Sequence, residues 1–232
     1  MCSSDLSEAQ LTALKDAWGD SDGLEGITRA LVGERAMGIG VFELPPEKQA
    51  KLMALSEDGP KNFSAEAYRK SSEYDADICF CLDRIEELLA AAGMPFPNCL
   101  DAASRSSDRA KEAKGKGFHI SALLLPGYSF VMKRAGEAMG HRRATLAGLA
   151  VERYRLAHQN ALPDTLEQLV PQFLSAVPTD PFDGKPLRYI KKSPTGYVIY
   201  SIGRDGKDDG GDARVPGAGA DASYDVTFTV RR

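Results

Sequence analysis

Apolar residues recur every three or four positions along the first 160 residues of this 232-residue chain, then give way to strict alternation near its end. The first rhythm predicts helix and the second predicts strand. Leu6-Ser7-Glu8-Ala9-Gln10-Leu11 has the form of a helix start. Ser7 is placed to cap, Gln10 to return the capping-box bond, and Leu6 to staple against Leu11. A second helix is expected over 24–43, although its glycines lower the propensity. Pro45-Pro46 opens a third, expected to end near Gly59-Pro60. EYDADICFCLDRIEELLAAAG forms a fourth, stopped by Gly93 and Pro95. MPFPNC, residues 94–99, reads as a loop because each proline holds its predecessor extended. A long helix is expected after Pro126, from roughly 129 to 159. Leu146, Leu149, Ala150, Arg153 and Ala157 share one side of it, with Tyr154 at the margin. Asn160 suits the left-handed residue that follows its end.

Past Asn160 the pattern changes. Asp164 is placed to cap a short helix, with Glu167 as its capping-box partner. Leu166, Leu169, Val170 and Phe173 form its apolar face, and Pro171 marks its end. VPTDPFDGKP is a proline-rich connector in which Asp183-Gly184 signals a turn. LRYIKK, SPTG and YVIYSI read as strand, turn and strand. Val226, Phe228 and Val230 alternate with Thr227 and Thr229, a half-buried strand. These elements predict an α+β fold: a mostly helical N-terminal part, then a long helix packed on a small three-stranded antiparallel sheet. The expected division is a helical domain over 1–127 and an α+β module over 128–232, with the long helix shared between them.

Composition narrows the function classes. The chain is 43% hydrophobic and 27% charged with a net charge of −4, so it lacks the concentrated positive potential of a nucleic-acid binder. Its most basic stretch, DRAKEAKGKG at 108–117, also holds acids and glycines and reads as a solvated helix end. The longest apolar run, SALLLPGYSFVM at 121–132, is short and broken by Pro126, so no membrane span is expected in this chain. No signal peptide precedes Ser3, and Cys2 lacks the lipobox and apolar segment of a lipoprotein. The abrupt start, MCSSD, reads as a cut from a longer protein. Cys79 and Cys81, two apart on a helix, point in well-separated directions and make a poor chelating pair. Two readings stay open for them: buried free thiols, or one bridging to Cys99 in an oxidising compartment.

The C-terminal elements also carry a resemblance. Asn160 to Pro163, Leu166 to Leu169, Pro178 to Pro181 and Tyr200 to Gly206 stand in the order of the motifs of type II secretion major pseudopilins. The resemblance covers roughly residues 143–232. It implies a pseudopilin-like α+β module that works outside the cytoplasm, in the periplasm, with protein partners of the cell envelope. Upstream, ALVGERAMGIGVFE, the PFPNC loop and LLLPGYSFVMKRAGEAMGHRRATLAGLAVERYRLAH resemble a bacterial family of uncharacterised membrane-anchored proteins with a helical middle and this same tail. One departure is plain. Pseudopilins begin with an apolar helix that continues into the long one, whereas here Lys133, Arg134, His141, Arg142 and Arg143 precede Leu146 and cannot sit in lipid.

In secretion pseudopilins the glycine-rich acidic loop binds calcium, and this chain has YSIGRDGKDDGGDA at 200–213. Calcium takes six to eight hard oxygens at flexible geometry, and glycines let a backbone turn its carbonyls inward. Asp205, Asp208, Asp209 and Asp212 supply carboxylates, with Asp225 approaching from the last strand. The family's first loop aspartate corresponds to Asp205 and its later one to Asp225 or Asp221. An EF-hand is excluded, since Lys207 occupies the third position and no closing glutamate follows. A phosphate cradle is excluded by the carboxylates and by the missing lysine-serine/threonine ending. The plainer reading is a solvated turn with scattered acids. Glu137 and His141, four apart on the long helix, lack a second histidine and read as a surface pair; Asp83, Glu86 and Glu87 read as an ordinary polar face. No nucleophile elbow, dinucleotide fingerprint or cysteine-zinc spacing is present. The expectation is a non-enzymatic extracytoplasmic protein of structural or interaction role. Its alternative is an enzyme or small-ligand binder with a site between the helical part and the sheet.

Overall fold

A computed structural model describes residues 6–18, 24–56, 59–60, 62–213 and 224–232. The chain divides into two compact units, Gly23–Ala135 and Met1–Asp22 together with Gly136–Arg232. The architecture is α+β, with a long helix and a three-stranded antiparallel sheet.

The unit Gly23–Ala135 is helical. Helix α2, Leu24–Glu43, packs against α5, Ser72–Ala92, which pairs in turn with α6, Asn98–Gly115. On α5 the buried positions Tyr74, Asp77, Cys81, Ile85, Leu88 and Ala92 advance by three or four, so one stripe of the helix faces the core. The C-terminal carbonyls of α2 are satisfied from other elements. Buried Gln49 of α3, Pro46–Ala54, donates to Val41 O at 3.0 Å and Phe42 O at 2.8 Å. The Tyr74 hydroxyl also donates to Phe42 O, and Arg69, the last residue of α4 (Ala65–Arg69), donates to Leu44 O. Helix α3 stops at Ala54, short of Gly59-Pro60, because Leu55 and Ser56 donate three residues back and tighten the turn. The loop read at 94–99 is shorter than expected, since α6 already includes Asn98 and Cys99.

The largest correction concerns α7, His119–Ala157. It starts ten residues before the expected 129 and passes through Pro126. Its start is held by Asp77 of α5, whose carboxylate accepts from Ile120 N–H at 2.9 Å and Ser121 N–H at 3.0 Å. The same carboxylate accepts the Tyr68 hydroxyl at 2.7 Å, and Asp77 is fully buried. A carboxylate on the first N–H groups of a helix supplies both a cap and a charge matched to the dipole.

The other unit builds its sheet on the C-terminal half of α7. β1, Arg188–Lys191, pairs with β2, Tyr197–Ser201, which pairs with β3, Val226–Val230. The helix residues buried with the sheet are the small ones, Ala144, Ala147, Ala150 and Val151. A Cβ added to Gly148 would lie 2.2 Å from the Phe228 ring. Of the expected stripe, Ala150 is buried with the sheet, whereas Leu146, Leu149 and Arg153 line a groove with Phe173, Leu174 and Lys15 of α1, Glu8–Trp18, and Ala157 is exposed. Strands bring large aromatics, so the helix presents small residues where backbones come closest. Helix α1 starts as expected, with Ser7 N–H donating to Gln10 Oε1 and Gln10 N–H to Ser7 Oγ; Leu11 is buried, while Leu6 stays exposed. Asn160 has the expected positive φ, 67°, and Gln159 shares it.

The short helix is a 3-10 turn, Leu166–Leu169, with Thr165 in the cap position. Asp164 does not cap it: its carboxylate accepts from Lys191 Nζ at 2.6 Å. Gln168, not Glu167, reaches back to Asp164 N–H at 2.8 Å. Leu166, Leu169 and Phe173 are buried as expected, but Val170 remains 36% exposed. No helix of the described residues is long and apolar enough to cross a membrane.

Candidate metal loop and its buried aspartates

The loop leaves β2 at Ser201 and is shaped by four glycines of positive φ: Gly203, Gly206, Gly210 and Gly211. At Gly203 a side chain is also excluded by space, since a Cβ would lie 2.7 Å from Tyr224 O. Gly206 N–H closes a turn onto Gly203 O, and Asp205 accepts from Lys207 N–H at 3.2 Å. Asp208 accepts from the Tyr200 hydroxyl and from Gly210 N–H, both at 3.0 Å. The chain then meets the start of β3. Asp225 N–H donates to Asp212 O at 2.8 Å, while the Asp225 carboxylate accepts from Gly211 N–H at 2.7 Å and Asp209 N–H at 3.4 Å.

Of the five expected ligands, the fold thus draws Asp208, Asp209 and Asp225 toward one another. Asp225 is only 2% exposed. Burial raises its pKa above the ordinary aspartate value, the two backbone donors oppose that, and the neighbouring Asp208 and Asp209 charges add to the rise. Asp212 takes part through its carbonyl and is itself exposed, as is Asp205. Asp221, the other counterpart of the family's later aspartate, lies outside the described residues, as does Cys2. Among the described residues no three Asp, Glu, His or Cys side chains converge as a metal cage.

Behind the loop stands an aspartate that is not among the expected ligands. Asp180, in the connector, is fully buried. Its carboxylate accepts from Phe182 N–H at 2.8 Å, Ser201 Oγ at 2.8 Å, Ile202 N–H at 2.9 Å and Arg188. Arg188 forks between Asp180 and Asp183 and lies 3.6 Å from Asp208. Burial pushes the Asp183 carboxyl up, but the bond from Arg188 and its charge outweigh this and hold it below the ordinary value. The available signal was the position of Asp180 in the run from Pro178 to Pro181. The expected Asp183-Gly184 turn is present, with Gly184 at φ 73°.

The remaining candidates resolve into structural roles. Glu137 is buried and accepts from the Tyr224 hydroxyl at 2.8 Å, with Arg204 3.4 Å away, whereas His141 is exposed. Glu137 is therefore no surface residue, and the two do not form a pair. Glu86 and Glu87 pair with Arg35 and Arg84. Cys79, Cys81 and Cys99 are free thiols; Cys79 is exposed, and burial pushes Cys99 up to about 11. No protein-family model, curated protein or solved structure matches this chain.

Proposed function

We propose that this chain is the extracytoplasmic part of a longer membrane-anchored protein, non-enzymatic, and a structural or interaction element of the cell envelope whose pseudopilin-like module is stabilised by calcium. The observation that carries the reading is the closure of the acidic loop on Asp225. The charges of Asp208 and Asp209 act there on a buried carboxylate, and the backbone turns through four left-handed glycines. The donor chemistry suits calcium, which takes carboxylate and carbonyl oxygens in irregular arrangements. Asp225, Asp208 and Asp209 would hold the ion, with backbone oxygens of the loop completing the shell. The bound cation would neutralise charge that the fold otherwise confines. Further support is the order of elements along the chain: long helix, left-handed Asn160, short helix, connector, hairpin, acidic loop.

The test is a melting series with calcium and with a chelator. At free calcium 100 times its dissociation constant, a site confined to the native state adds about 2.7 kcal/mol. Asp225→Asn and Asp209→Ala are expected to abolish the calcium response, and Asp205→Ala, outside this cluster, to leave most of it. A midpoint unmoved by millimolar calcium would overturn the proposal.

A further inference from the structure

Three arginines line one cavity of the helical unit. The cavity measures about 300 Å³ and lies along the α5–α6 hairpin. Arg84, Leu88 and Ala91 lie on successive turns of α5, and Arg105 and Arg109 are one turn apart on α6, so guanidinium groups and apolar surface converge. Met94, in the turn between the helices, completes the apolar part.

The positive charge is incompletely matched. Arg84 pairs with Glu87 at 2.7 Å, yet its side chain is only 18% exposed and its Nε is buried without a hydrogen-bond partner. Arg109 pairs with Glu112 at 2.8 Å, but Glu112 is shared with Lys116, also at 2.8 Å. Arg105 has no hydrogen bond or ion pair among the described residues. The cavity lining therefore carries three arginines against the single carboxylate of Glu87, a net of two positive charges.

We propose that this cavity binds the phosphoryl group of a small molecule with a compact apolar body. A phosphate monoester carries close to two negative charges at neutral pH, which matches the imbalance. Its oxygens accept from several guanidinium forks together, whereas a carboxylate carries one charge and engages one fork fully. The buried Arg84 Nε gains the acceptor it lacks. Leu88, Ala91 and Met94 receive the apolar body, and the volume sits at the lower end of the roughly 300–1,000 Å³ typical of ligand pockets.

Calorimetric titration of the whole chain, at fixed ionic strength, tests the proposal with phenyl phosphate, inorganic phosphate and benzoate. Phenyl phosphate is expected to saturate one site, inorganic phosphate to bind more weakly, and benzoate more weakly than phenyl phosphate by about tenfold. Arg84→Gln and Arg105→Gln should each weaken phenyl phosphate by about tenfold. Arg105 makes no side-chain bond among the described residues, so its variant separates binding from folding. Arg153→Gln, outside the cavity, should leave the affinity unchanged. Adding calcium or a chelator should change nothing, which keeps this test distinct from that of the loop. Absence of saturation below about 10 mM phenyl phosphate, tighter binding of benzoate, or full affinity in Arg105→Gln would each overturn the assignment.

Discussion

Glu152 and Asp225 are both buried carboxylates, and their surroundings give them opposite responses to pH. Burial pushes Glu152 up, but bonds from Arg232, Tyr197 and Arg155 outweigh it, so its pKa lies below the ordinary 4.5. A carboxylate depressed in the folded state contributes stability that is present above its unfolded pKa and lost as pH falls through the folded one. Asp225 is raised above 3.8, so its contribution is present below that value and lost as pH rises through the folded pKa. Glu152→Gln is therefore expected to flatten the acid limb of the stability profile below about pH 4.5 in urea titrations. It should also cost about 3 kcal/mol at neutral pH, because Arg155, whose side chain is 5% exposed, loses the ionised Glu152 from its surroundings. A variant that keeps the wild-type acid limb would remove Glu152 from this account. The difference between the two acids lies in their neighbours: arginines surround one, and aspartates crowd the other.

Helix α7 depends on residues distant in sequence at both its start and its packing face. Asp77 caps it from 43 positions away, so the helix begins ahead of a proline that local rules treat as a boundary. At the sheet, Gly148 competes between two effects. Alanine there would gain roughly 0.5–1 kcal/mol of helix propensity. Overpacking against Phe228 would cost about 1–3 kcal/mol, and the 2.2 Å approach places the site at the costly end. Gly148→Ala is thus expected to lower stability by about 2 kcal/mol, measured by chemical denaturation. Trimming the ring with Phe228→Leu in the same chain should recover much of that loss, so the two changes will not add. Strict additivity would show that the helix and ring do not meet. The expected leucine stripe was legible as an amphipathic face, but periodicity does not say which neighbour the face meets. The smallest side chains took the sheet because the strands already carry the volume.

At the scale of the whole chain, the two proposed ligands belong to different units, the acidic loop to one and the arginine cavity to the other. Hydrogen exchange separates them. Calcium is expected to raise protection in β2, β3 and around Gly211, and phenyl phosphate in α5 and α6. Calcium protection confined to the α5–α6 hairpin would contradict the loop assignment.

What the sequence by itself determined is the set of local elements and their class. Helix α2 over 24–43, the left-handed Asn160, the Asp183-Gly184 turn and three strands in their right places all follow from side-chain periodicity and turn chemistry, which act over a few residues. The acidic loop was legible in the same way, as glycines and aspartates crowded after a strand. Only the tertiary structure decided which aspartates come together, that Asp180 and Asp77 are buried hubs, and that Arg84 and Arg105 share a cavity. Those outcomes depend on pairing residues up to tens of positions apart, where burial and desolvation set the energies and local patterns carry no record of the partner.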